Sequence, residues 1–80
     1  MKIIKTKFKD LLIVKQKNNF DKRGSLREVF NNKILKVDNF KFEYCTTSKS
    51  NALRGFHFQY KFQQAKYVNV LKGKILDCVI

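Results

Sequence analysis

Residues 40–45 read Phe-Lys-Phe-Glu-Tyr-Cys, with an aromatic ring at every second position. Successive side chains of an extended backbone point to opposite faces, so this period of two predicts a half-buried strand rather than a helix. The spacing predicts a strand over 40–47, with Phe40, Phe42 and Tyr44 on one face and Lys41, Glu43 and Cys45 on the other. Similar patterns predict strands over 3–7, 11–16, 25–30, 53–60, 67–71 and 74–80. Lys9-Asp10 connects the first two. Residues 17–24 are turn-rich, and Gly24 closes them. Residues 31–36 look like a single helical turn, with Asn31 or Asn32 as its cap. Lys72-Gly73 links the last two strands as a hairpin, since glycine takes the positive φ that a short bulged loop needs. Many short strands and one helical turn imply an antiparallel β-sandwich or barrel.

The 80 residues allow one small domain, without internal repeat, linker or proline. Eight Phe and three Tyr imply a chain built to bury surface. It ends in Leu-Asp-Cys-Val-Ile, inside an expected strand, as if only the first half of a β-barrel were present. Such a half leaves long strand edges unpaired, which natural domains avoid. Cys45 and Cys78 match no disulfide framework and no zinc spacing, so the expectation is two free, buried thiols in a reducing compartment.

Lys and Arg total 18 against 6 acids, a net charge of +12. Such a balance favours anionic partners. The basic residues are nevertheless spread from Lys2 to Lys74, and only Arg23, Arg27 and Arg54 are arginine, which describes a solvated face better than a nucleic-acid stripe. No apolar stretch follows the lysines of residues 2–9 as in a secretory signal, and no apolar run approaches the roughly 20 residues of a membrane span. The expectation is a soluble, cytoplasmic protein with no membrane partner.

Chemistry concentrates in Leu-Arg-Gly-Phe-His-Phe-Gln, residues 53–59, which holds the one histidine of the chain. On a regular strand Arg54 and His57 face opposite ways. They can share a pocket only if the backbone kinks or bulges near Gly55. Taken alone, His57 reads first as a histidine hydrogen-bonded within a sheet, since most lone histidines have no catalytic task.

Three segments stand in order: Asp-Lys-Arg-Gly-Ser-Leu-Arg-Glu-Val-Phe (21–30), Ala-Leu-Arg-Gly-Phe-His-Phe-Gln (52–59) and Ala-Lys-Tyr-Val-Asn-Val-Leu-Lys-Gly (65–73). Together with the opening 14 residues they resemble the dTDP-4-dehydrorhamnose 3,5-epimerases, cupin-type jelly rolls of nucleotide-sugar metabolism. The resemblance spans the whole chain but only the first part of the family's domain. It implies an all-β fold: the N-terminal half of an antiparallel cupin or jelly-roll β-barrel, with one short helical turn, residues 1–80 being a partial domain. It also implies a nucleotide-diphosphate 4-keto-6-deoxy sugar as substrate, no cofactor, no metal, and a homodimer that exchanges strands.

By resemblance His57 is the base that removes a proton α to the C4 ketone, for which a neutral imidazole near pH 7 is suited. Lys66 stabilises the developing oxyanion and contacts substrate. Arg54 binds the diphosphate or the sugar. Arg23 and Glu28 match nucleotide contacts supplied by the neighbouring subunit. The chain departs from the family pattern at Ser25 and Leu26, where aromatics are usual, and at 42–46, where a Gln-Asx-Asn patch is usual. The family's aspartate partner of the histidine and its acidic tyrosine fall beyond residue 80, so the isolated chain is expected to be inactive. The alternatives are a non-catalytic cupin fragment and a small basic nucleic-acid-binding β module.

Overall fold

A computed structural model describes residues 1–37 and 39–80. Its regular structure lies in two antiparallel hairpins and one helical turn. Strand β1 (Lys2–Lys5) pairs with β2 (Leu12–Lys15), and β3 (Asn18–Asp21) with β4 (Gly24–Arg27), giving two separate two-stranded sheets. The fold is thus all-β and antiparallel with one short helix, as expected for part of a cupin-like domain rather than a closed barrel. The chain divides into two units, Met1–Glu43 and Tyr44–Ile80.

In the first unit Ile3 lies opposite Val14, and both are half-buried. This apolar pair fixes the register, because a slip of one residue would turn it to the other face. Thr6 closes the connection: its hydroxyl donates to the Leu11 carbonyl (2.7 Å) and accepts from the Phe8 N–H (3.2 Å). The Gln16 side-chain amide donates to the Val29 carbonyl (3.1 Å), tying the end of β2 to the stretch after β4.

Residues 18–21, expected to be turn, form a strand. The turn itself shrinks to Lys22-Arg23 between the paired residues Asp21 and Gly24. Asp in the first position and Gly in the fourth suit a tight turn. The Asp21 carboxylate accepts from the Arg23 backbone N–H (2.8 Å), and Gly24 adopts φ 141°, which disfavours a side chain. The ladder to β4 overrides the turn propensity of Asn18, Asn19 and Asp21.

Helix α1 (Asn32–Leu35) forms where expected, capped by Asn31. Asn31 is extended, and its Oδ1 accepts from the N–H groups of Lys33 (3.0 Å) and Ile34 (3.3 Å). Glu28 accepts from Asn31 Nδ2 (2.9 Å), which orients the amide with its oxygen toward the helix. Lys36 ends the turn in the left-handed conformation, its N–H donating to the Asn32 carbonyl (2.8 Å).

The strands expected over 40–47, 53–60, 67–71 and 74–80 form no ladder among the described residues. Strand pairing requires a partner edge, and these segments find none in register. Gly73 does take the positive φ expected of it (93°), within a bend at 71–73. The expected burial is also corrected. Among the described residues none is buried, and Phe40, Phe42 and Tyr44 are exposed. Cys45 and Cys78 are free, as expected, but exposed rather than buried, since no sheet packs over them. No helix among the described residues is long and apolar enough to cross a membrane.

Two outcomes follow from the local bonds. Asn31→Ala removes both cap hydrogen bonds and should destabilise the helical turn by about 1 kcal/mol, read as loss of helical Cα chemical shifts over 32–35. Asn31→Asp should keep them; unchanged shifts in the alanine variant would show the cap to be idle. The Asp21 carboxylate is held below its ordinary pKa, first by the side-chain hydrogen bond from Arg23 and then by the backbone N–H groups of Arg23 and Gly24. Folding lowers this pKa, so the stabilisation is present above the ordinary carboxylate range and disappears as pH falls through the lowered value. The Arg23 amide and Nε–H resonances should therefore shift on acidification with a midpoint below that of a free aspartate. In Asp21→Asn this titration should vanish; a normal midpoint in the parent chain would contradict the pairing.

Candidate functional site

Arg23 sits at the tip of the β3–β4 hairpin. Its Nη2 and Nε donate to Asp21 Oδ2 at 2.8 and 3.2 Å, while its own N–H donates to Oδ1. One carboxylate therefore fixes both the backbone and the guanidinium of Arg23. The pair is exposed, with 90% of the Arg23 side chain open to solvent, so its contribution to stability is small. Its effect is to aim the cation: two of the five guanidinium N–H donors are engaged, and the others face outward.

Glu28 lies just beyond the other end of β4. Four residues lie between it and Arg23, five steps of extended chain or roughly 16 Å. The two candidate nucleotide contacts thus bracket one strand instead of converging. Glu28 also has a structural task, holding the Asn31 amide through the bond described above.

In the second unit the chain turns sharply before Arg54. The Ala52 N–H donates to the Lys49 carbonyl (3.1 Å), and Asn51 is left-handed (φ 65°). The turn brings Arg54 back onto its own loop: Nε donates to Ser48 Oγ (2.8 Å) and Nη2 to the Thr47 carbonyl (3.4 Å). Gly55 adopts φ 126°, a conformation disfavoured for residues with a Cβ. The expected strand kinked at Gly55 does not form, since residues 53–59 are irregular without strand or bend. His57 is exposed, and so is Lys66, which follows a bend at residues 60–62. Among the described residues no hydrogen bond joins Arg54, His57 and Lys66 to one another.

Asp21 and Ser48 escaped the sequence reading as the groups that orient the two candidate arginines. Asp21 had a signal, an acid two residues before Arg23 across a turn. Ser48 had none, because its contact depends on the intervening loop. No cluster of three or more His, Cys, Asp or Glu that could hold a metal occurs among the described residues.

No solved structure matches the chain. Two relatives match it over nearly its whole length. A dTDP-4-dehydrorhamnose 3,5-epimerase of Methanothermobacter thermautotrophicus is 30% identical over 83 aligned positions, covering 99% of this chain and 45% of the relative. Another protein of that name, from Shigella flexneri, is 33% identical over 87 positions, covering 100% of this chain and 48% of the relative. The chain thus spans about half the length of these relatives. The family model for dTDP-4-dehydrorhamnose 3,5-epimerase matches residues 5–80, and the chain belongs to that family.

Proposed function

We propose that residues 1–80 form the N-terminal portion of one cupin-like epimerase domain. Its substrate is a nucleotide-linked 4-keto-6-deoxy sugar of the dTDP-4-dehydro-6-deoxyglucose type, used in dTDP-rhamnose biosynthesis. The observation that carries this reading is the family match over 5–80, which includes Arg23, Glu28, Arg54, His57 and Lys66.

The reaction moves only protons and uses no cofactor. The C–H bond beside the C4 ketone breaks, its proton passes to the His57 imidazole, and the electron pair delocalises onto the keto oxygen as an enolate. The Lys66 ammonium offsets that developing charge. Protonation from the opposite face inverts the centre. In the family that acid is a tyrosine from a part of the domain outside these 80 residues. Arg54 holds the diphosphate or the sugar. Arg23, with its outward donors, suits a phosphate oxygen, and with Glu28 it serves the nucleotide of a neighbouring subunit in a strand-exchanged homodimer. The exposed Phe20 and Leu26 of the β3–β4 hairpin, 77% and 74% open, supply apolar surface for that exchange. Two free thiols fit a cytoplasmic setting.

Exchange of the substrate's C3 and C5 protons with solvent deuterium tests the chemistry. The 80-residue chain alone should show none. A chimaera in which residues 1–80 replace the matching part of the Shigella flexneri relative should exchange. There, His57→Asn should lower the rate by about 10²- to 10⁴-fold. Full exchange by the isolated chain would overturn the need for a catalytic group from outside these residues, and an active His57→Asn chimaera would remove His57 from the role of base. Light scattering of the chain should give the mass of a dimer, and a folded monomer would rule out strand exchange.

A further inference from the structure

Arg23 and Arg54 are each held through the same two nitrogens, but by different chemistry. Arg23 gives its Nε–H and Nη2–H to a carboxylate, so a full negative charge sits against it. Arg54 gives its Nε–H to the Ser48 hydroxyl (2.8 Å) and its Nη2–H to the Thr47 carbonyl (3.4 Å), and both acceptors are uncharged. Among the described residues no carboxylate pairs with Arg54. The sequence between Tyr44 and Arg54 contains no acid at all. The turn from Lys49 to Ala52, with left-handed Asn51, is what brings Ser48 within reach of a side chain six residues later. Nε and Nη2 form one edge of the planar guanidinium. The other edge, which carries Nη1, remains open, with three of the five N–H donors unused.

We propose that Ser48 is a positioning residue for Arg54: it fixes the direction of the guanidinium through one edge and leaves the other edge, with the whole charge, to substrate. This rests on the reading of Arg54 as a substrate ligand. A carboxylate in place of Ser48 would aim the side chain equally well. It would also compete with any anionic ligand for the cation, because charge-assisted bonds to guanidinium are the strong ones. A hydroxyl aims without competing. Holding the long arginine side chain beforehand also lowers the rotamer entropy lost when substrate binds. The Thr47 bond, at 3.4 Å, lies beyond the usual range for such bonds, so Ser48 is the principal tether. The tether acts on binding and not on proton transfer, which the proposed mechanism gives to His57 and Lys66.

Two measurements test this. In the 80-residue chain the Arg54 Nε–H should exchange with water more slowly than that of a free arginine side chain. Ser48→Ala should remove this protection and Ser48→Thr should keep it. An unprotected Nε–H in the parent, or protection unchanged in Ser48→Ala, overturns the tether whatever the chain catalyses. In the chimaera that carries residues 1–80, Ser48→Ala should raise KM about two- to tenfold with kcat nearly unchanged, and Ser48→Thr should restore KM. Ser48→Asp should raise KM although the Nε–H stays protected; a parent-like KM there overturns the argument for an uncharged tether. In an Arg54→Ala background, Ser48→Ala should add nothing, since its effect passes through the missing guanidinium. A fall in kcat at constant KM, an additive loss in that background, or a parent-like KM in Ser48→Ala overturns the positioning role. A folded parent chimaera that exchanges neither the C3 nor the C5 proton overturns the epimerase reading instead, and the Nε–H measurement then decides on the tether by itself.

Discussion

An extended backbone leaves a row of N–H and C=O groups that must be bonded by another strand, by side chains or by water. That requirement divides this molecule. In the first unit each strand meets its partner across a short connection, so β1–β2 and β3–β4 close locally. In the second unit the alternating segments have no ladder among the described residues, and their side chains stay exposed. Pairing that is local in sequence costs little chain entropy, whereas pairing between distant segments must first overcome loop closure. The hairpins are therefore what this stretch of chain can form from its own residues.

The same division governs the apolar residues. Eight Phe and three Tyr carry enough surface for a core, yet no described residue is buried. A two-stranded hairpin has two faces and no second layer to cover either, and isolated hairpins are at best marginally stable in water. Ile3 and Val14 gain partial cover because they sit together on one face. Phe20 and Leu26 do not, since Phe20 pairs with Ser25 and Leu26 with Asn19, which places them apart. Burial here awaits a further layer, and strand exchange with a second subunit would be one way to supply it.

What could be read from the sequence tracks the range of the interactions concerned. The Asn31 cap, the helical turn after it, and the positive φ of Gly73 were legible because each is decided within a few residues. Strands β1 and β2 were legible to within a residue or two at either end, because Ile3 and Val14 mark one face. Residues 18–21 were misread for the opposite reason. Two Asn and an Asp speak for a turn, and only the ladder to Gly24–Arg27 makes them a strand. The segments over 40–47 and 53–60 alternate as strands should, but alternation states a preference for extension and says nothing about where the partner lies. The assumption of buried thiols at Cys45 and Cys78 failed with the missing sheets. At the candidate site, Arg23 and Arg54 were legible as cations, while the Ser48 tether on Arg54 required the folded loop.

Local and distant organisation also separate the two halves of the proposed chemistry. Arg23 is aimed by a carboxylate two residues away, so this cation is oriented within its own hairpin. Arg54 is likewise held by Ser48 and Thr47 on its own loop. A general base has a stricter requirement, because its ring must hold one tautomer and one direction, which a hydrogen bond to the second ring nitrogen normally secures. No such bond to His57 is made among the described residues. Binding groups can thus be organised by their own short segments, but a base cannot be poised without a partner brought from elsewhere. On the proposed reading, these 80 residues organise recognition by themselves, while catalysis depends on contacts that only the completed domain provides.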